Sequence, residues 1–274
     1  MKALSPQKIE KFRENVWAFY QTKKRNLPWR ETEDPYKILV SEIMLQQTQV
    51  DRVISFYRAW MKRWPAIQDL SKASRREVLK QWIGLGYNNR AIRLHETAKK
   101  IVACYEGDVI KALQQEKLPG IGPYTAHAVC IFSRNEDITA IDTNIRRLLI
   151  HELDLPEKSS VEMLEAAAAQ CLPRGRSRDW HNALMDYGAL QQTSRKTGIK
   201  PFSKQSTFKG SDREIRAKIL RHLVTVQYAS LTTIQHLAGT DTLRLKKILK
   251  SLEKEGIILN EKNSYALNEV KTSS

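Results

Sequence analysis

Two carboxylates and one glycine hairpin are the residues of this chain whose types and spacing could do chemistry. Glu42 stands in Ser41-Glu42-Ile43-Met44-Leu45-Gln46-Gln47-Thr48-Gln49-Val50, among apolar neighbours. A carboxylate there is either a solvated helix residue or a buried acid whose pKa rises because water has been removed, and spacing alone favours the first. Asp142 ends the short apolar run Ile138–Ile141 and opens Asp142-Thr143-Asn144. It is placed to cap the helix that follows. A carboxylate at that point could also face a cation formed during a reaction, and it can do both only if its two oxygens divide the work. Between them lies Leu118-Pro119-Gly120-Ile121-Gly122-Pro123-Tyr124-Thr125-Ala126. Glycines at i and i+2 tolerate angles that a Cβ forbids and let another backbone come close. A bare hairpin running into a helix start turns amide N–H groups outward, which suits a phosphate. A lone Gly-x-Gly is more often an ordinary turn, so its surroundings must decide.

Those surroundings are basic. The chain of 274 residues carries 46 Lys and Arg against 30 Asp and Glu, a net charge of +16, which points to a polyanion, nucleic acid before membrane. The uncharged run Gln46, Gln47, Thr48, Gln49 fits the same partner, because amides can enter a base stack and bond to base edges without repelling phosphate; a surface helix end is the plainer alternative. A second Gly-x-Gly turn, Gly84-Leu85-Gly86-Tyr87-Asn88-Asn89-Arg90, bears an aromatic that could stack into a duplex or cap a core. Cys104, Cys130 and Cys171 are odd in number, far apart and without metal-ligand spacing, so reduced thiols are expected. No apolar run is long enough for a bilayer and the N-terminus lacks a signal-peptide core. The expected location is the cytoplasm, in association with the nucleoid, with monomer the default state.

The elements that must position these residues are helical. Periodicity predicts helices over Ser5–Gln21, from Asp34-Pro35 through Leu45, over Arg52–Trp64, Ser71–Ile83 and Ile92–Tyr105, from the hairpin to Ser133, and over Ile145–Leu153, Val161–Gln170 and Asp179–Leu190. Composition then shifts: Ser194–Arg221 holds nine Lys or Arg against two acids. We expect a linker over 194–210, after a first domain over 1–193. The remainder, 211–274, predicts three helices and a two-stranded wing, a winged helix-turn-helix whose third helix, Thr240–Glu255, is the candidate major-groove reader. A winged helix that binds protein instead of DNA has the same pattern.

From about Asn26 to Leu190 the chain resembles the helix-hairpin-helix DNA glycosylase superfamily, and within it the adenine DNA glycosylases of the MutY type. The resemblance rests on Leu27-Pro28-Trp29-Arg30, Ser41–Val50, Gly84–Arg90, Leu118–Ala126, Asp142–Asn144, and Asn182–Asp186 with Gly188-Ala189, in that order. It implies an all-α fold of two helical subdomains with the base pocket in their cleft; it does not cover the winged helix. It further implies that Glu42 protonates adenine at N7, that Asp142 faces C1′ with Asn144 beside it, and that Tyr124 stands where bifunctional relatives carry a catalytic lysine. Gln47 and Tyr87 would wedge into the duplex, with Gln46 and Thr48 flanking. Trp29, Arg30 and Leu45 would wall the pocket. Gly120, Ile121 and Gly122, with Thr125, would hold a phosphate, often beside a monovalent cation.

Such an enzyme has to flip the base out, protonate a poor leaving group and stabilise an oxocarbenium-like sugar. Two departures stand against the family pattern. Its four cluster-binding cysteines are missing: the chain reads Gly188-Ala189-Leu190-Gln191-Gln192-Thr193, with Gln192 about where the first ligand would stand, so no iron–sulfur cluster is expected. The C-terminal domain with which the type reads 8-oxoguanine is replaced by the winged helix. The expected partner is duplex DNA holding adenine opposite guanine or 8-oxoguanine. A thymine or uracil mismatch glycosylase and a non-catalytic DNA binder on the same scaffold are the alternatives.

Overall fold

The structure, a computed structural model, describes residues 4–200 and 207–269. Its helices are α1 (Pro6–Lys23), α2 (Pro35–Leu45), α3 (Val50–Arg63), α4 (Ile67–Lys72), α5 (Arg75–Trp82), α6 (Asn89–Tyr105), α7 (Val109–Gln115), α8 (Pro123–Arg134), α9 (Thr143–Glu152), α10 (Val161–Cys171), α11 (Ser177–Asp186), α12 (Ser194–Thr197), α13 (Asp212–Leu223), α14 (Leu231–Ala238) and α15 (Thr242–Lys254). A 3-10 turn covers Pro28–Arg30 and a π-turn Tyr187–Gln191. The helix expected over Ser71–Ile83 begins only at Arg75, as α5, and α4 ends at Lys72 just before it. Ser74 accepts the Glu77 amide while Glu77 bonds back to the Ser74 amide, a reciprocal cap that fixes a new helix start. Helix α7, short and capped by Asp108, was not anticipated.

The chain divides into two compact units, Met1–Glu42 with Ile121–Lys204, and Ile43–Gly120 with Gln205–Ser274. In the first, α1, α9, α10 and α11 bury Phe12, Val16, Leu148, Leu149, Ala167 and Trp180 together, with Trp180 edge-on to Phe12 at 5.7 Å. Ile199 joins that core, so packed structure continues into the segment read as linker. The 3-10 turn is tied down by Asp186, whose carboxylate is wholly buried. It accepts both Arg30 amino groups (2.8 and 2.9 Å), the Arg25 Nε (2.6 Å) and the Arg25 amide (3.0 Å). Two cations and four donors keep the Asp186 pKa below the usual carboxylate range despite burial, which acts against them.

In the second unit, Trp60 packs against Trp64 (4.7 Å) and Trp82 (5.6 Å). The C-terminal elements carry the expected three helices and wing: β2 (Ile258–Glu261) and β3 (Ser264–Leu267) pair in antiparallel register, and β1 (Ala229–Ser230) adds a third strand on the other edge of β3. These elements dock on α5. Arg75 donates to the carbonyls of Gly256 (2.7 Å) and Asn268 (3.0 Å) and pairs with Glu96. Arg76 donates to those of Leu223 (2.7 Å) and Val226 (2.9 Å) and pairs with Glu269.

Candidate active site

Helix α2 delivers Glu42. Every residue from Ile38 to Met44 is buried, so the helix has no solvated side at that level and the carboxylate, 7 % exposed, enters a dry environment. Burial pushes its pKa up to about 7. The nearby Asp142 charge adds to the rise, and a hydrogen bond from Tyr124 and the Arg30 guanidinium oppose it. At neutral pH Glu42 is therefore divided between its protonated and ionised forms. Tyr124, on the first turn of α8, is half-exposed as a residue, but its hydroxyl lies enclosed beside the two carboxylates, and burial together with Glu42 drives its pKa well above that of a free phenol. It remains O–H and donates.

Asp142 caps α9, and each of its two oxygens accepts from a protein donor. Oδ1 accepts the Ile145 amide at 2.7 Å, and Oδ2 accepts the Asn144 side-chain N–H at 2.9 Å. Burial raises its pKa, while these donors and the Arg147 charge pull it down. Arg147 is the anchor behind the pair. Its Nη2 donates to Asn144 Oδ1 (2.7 Å) and the Gly188 carbonyl (2.8 Å), and its Nε to the Gln192 carbonyl (2.7 Å). Gly188 lets Asn144 come close: a Cβ there would lie 3.0 Å from Asn144 Cβ and 3.2 Å from its carbonyl oxygen, a tight contact that would push one of them aside. The segment leading to Asp142 is held by His181, buried in α11. Its Nδ1 faces the Ser177 carbonyl (2.8 Å) and its Nε2 accepts the Ala140 amide (3.2 Å), which assigns the proton to Nδ1. Burial lowers the His181 pKa to about 4, so the ring stays neutral as that pairing requires.

The other expected residues distribute as follows. Trp29 is buried on the 3-10 turn; Arg30 has its guanidinium locked on Asp186 while still biasing Glu42; Leu45 is half-buried at the end of α2. Gly120 has φ +76°, left-handed, and Gly122 is the N-cap of α8 with nothing within 4 Å of where a Cβ would stand, an open approach to the amides of the helix start. Thr125 is buried.

In the second unit, Gln47 is exposed and Tyr87 half-buried, and both are non-glycine residues in left-handed backbone (φ +55° and +48°). That conformation costs energy and persists where the surroundings impose it. Beside both turns lies Arg90, 8 % exposed. One amino nitrogen meets the carbonyls of Ile43, Met44 and Gln46 (2.7, 2.9 and 2.7 Å), orphan acceptors at the C-terminus of α2. The other meets Thr48 Oγ1 (3.1 Å) and the Gly86 carbonyl (3.0 Å). The sequence places Arg90 in the tyrosine turn without assigning it this part, and the roles of Arg147 and Asp186 are equally unmarked.

The residues do not fit an iron–sulfur cluster. Cys130 and Cys171 are buried on separate helices, Cys104 is exposed on a third, and no cysteine follows Cys171. Gln192 is buried and donates to Glu152 (2.7 Å) and the Tyr187 hydroxyl (3.3 Å), filling its position with a hydrogen-bonded amide. Among the described residues no group of three His, Cys, Asp or Glu is arranged for a metal ion, and no helix is long and apolar enough to cross a membrane.

Residues 40–174 match the family described as "HhH-GPD superfamily base excision DNA repair protein". An adenine DNA glycosylase of Mycobacterium tuberculosis is 33% identical over 271 residues, spanning 89% of this chain and 89% of that protein. The human adenine DNA glycosylase is 37% identical over 195 residues, 66% of this chain and 36% of the human one. Among solved structures, a thermostable thymine-DNA glycosylase superposes with TM-score 0.64 at 29% identity, covering 69% of this chain and 90% of its own. A trapped endonuclease III–DNA covalent intermediate, at 19% identity and TM-score 0.61, shares the fold. On this likeness of sequence and fold, the chain belongs to the HhH-GPD superfamily of base excision DNA repair proteins and, within it, to the adenine DNA glycosylase family.

Proposed function

We propose that this protein hydrolyses the N-glycosidic bond of adenine opposite guanine or 8-oxoguanine in duplex DNA, without strand cleavage. The observation that carries the reading is the enclosure of Glu42, Tyr124 and Asp142 together, with Glu42 partly protonated near neutrality. Glu42 gives its proton to N7 of the extruded base. The C1′–N9 bond then breaks with its electron pair leaving on the purine. The positive sugar faces Asp142, whose position Asn144 and Arg147 fix, so the field is set before charge develops. Water adds at C1′ and its proton passes to the Glu42 carboxylate, which restores the acid. Position 124 offers a phenol and no amine, so no Schiff base forms there. Gln47 and Tyr87 occupy the gap in the duplex.

The test is base release from duplexes carrying A·G, A·8-oxoguanine, T·G and U·G pairs. Adenine release from the first two is expected. Release of thymine or uracil but not adenine would transfer the chain to the mismatch specificity of its thymine-glycosylase neighbour, and no release from any duplex would leave a binding protein.

The chemistry is also proposed to run without an iron–sulfur cluster. Iron analysis of the purified protein is expected to give no stoichiometric iron and no visible absorption from a cluster; four irons per chain would refute this.

A further inference from the structure

Arg213 of the C-terminal elements reaches the tyrosine turn. Arg213, second in α13, donates from Nη1 to the Tyr87 hydroxyl at 3.0 Å, and its guanidinium carbon lies 5.3 Å from the centre of the ring; that of Arg90 lies 5.7 Å from it. The Tyr87 ring is thus flanked by two cations. The contact is braced at a distance. Arg76 of α5 binds the carbonyls of Leu223 and Val226 at the far end of α13, so the helix is gripped at its C-terminus and meets Tyr87 at its start. Twelve residues span about 18 Å. The start of α13 is fixed in turn by Arg244 of α15, which bonds Asp212 (2.7 Å) and the Gly210 carbonyl (2.7 Å).

When the Tyr87 ring moves into a base stack, its hydroxyl leaves with it, and the guanidinium has to exchange that bond for another acceptor. Beside a duplex the abundant acceptor is a backbone phosphate, which a planar fork of N–H groups matches well. We propose that Arg213 is a DNA-contacting residue contributed by the C-terminal domain to the tyrosine turn, setting the ring in the free protein and binding a phosphate beside the point where the ring enters the duplex. This rests on the reading of Tyr87 given above. It gives the winged helix a task at the lesion, carried by the start of α13 and not by the third helix.

The test measures binding of the full chain to a duplex holding 2′-fluoro-2′-deoxyadenosine opposite guanine, which resists hydrolysis, by fluorescence anisotropy across a salt series. Arg213→Ala is expected to weaken binding about tenfold and to lower the slope of log K against log salt by about 0.9, one phosphate contact. Arg213→Lys should restore the slope. Tyr87→Phe removes the bond that Arg213 must give up, so it should not weaken binding in the otherwise wild-type chain and should add little in the Arg213→Ala background. An unchanged slope in Arg213→Ala overturns the proposal whatever the affinity does. So does a slope that Arg213→Lys fails to restore, which is what simple damage to the domain would produce. Because the probe is not hydrolysed, a wild type that releases no base overturns the proposed function and leaves this measurement intact.

Discussion

Glu42→Gln is expected to slow adenine release about 10³-fold, the scale of a lost general acid, while changing affinity for a mismatched duplex by less than about twofold, since the interaction removed is made only in the transition state. Glutamine keeps the shape and can accept from Tyr124 but has no proton of the required acidity. Burial makes two further results follow. In the wild type, release depends on the protonated form, so its rate should fall as pH rises through about 7. Stability carries the same signature. Glu42 titrates near 4.5 in the unfolded chain and at about 7 in the folded one, so between those values the folded protein holds a proton the unfolded chain has released. Stability on this account is fully present below about 4.5, falls as pH rises to about 7, and stays low above it. Glu42→Gln abolishes that fall, so the inactive variant should be the more stable protein at pH 8, by up to about 3 kcal/mol, and should lose the margin at acid pH. A variant that turns over normally, or wild-type release that stays flat through neutrality, removes Glu42 from the chemistry.

How much of this was legible before the coordinates differs from residue to residue. Asp142 was legible as a cap because Asp before a helix start is a local signal, and the structure gives it that part through Oδ1 alone. Glu42 was ambiguous by spacing, yet its surroundings carried more than periodicity did: Ile38-Leu39-Val40 and Ile43-Met44-Leu45 occupy all sides of α2, which leaves a carboxylate at 42 no polar face. The split between α4 and α5 was written in Ser74 and Glu77 as a capping box and was overridden by the apolar periodicity around it. The arginines were the least legible. Arg76, Arg90 and Arg147 sit on helices where a charge run ordinarily means solvent, and their acceptors are mostly backbone carbonyls from elements 30 or more residues away, as with Gln192 for Arg147, Ile43 for Arg90 and Leu223 for Arg76. Carbonyl groups carry no sequence identity, so no pattern of residue types announces such a bond.

Arg90→Lys should therefore do far more than its conservatism suggests. A lysine ammonium is a point charge with three donors and cannot span the carbonyls closing α2 and the Thr48 and Gly86 oxygens on the other side. Several buried acceptors lose their partner, and the backbone beside the two left-handed residues loses the group that holds it. The expected loss of stability is about 3–5 kcal/mol, the range for breaking a buried charge network. Burial lowers the Arg90 pKa to about 10, so it is still charged at neutral pH, and the loss should not vary with pH between about 6 and 8. This guanidinium ties down the residues on either side of Gln47 and the one before Tyr87, so kcat/KM for a mismatched duplex should fall about 100-fold from misplacement alone, assayed at a temperature where the variant is folded. The salt slope of binding separates this residue from Arg213. Arg90 is buried and bonded inward, so its removal should leave the number of phosphate contacts, and hence the slope, unchanged. Arg90→Lys with wild-type kcat/KM would mean that the two turns keep their shape without it.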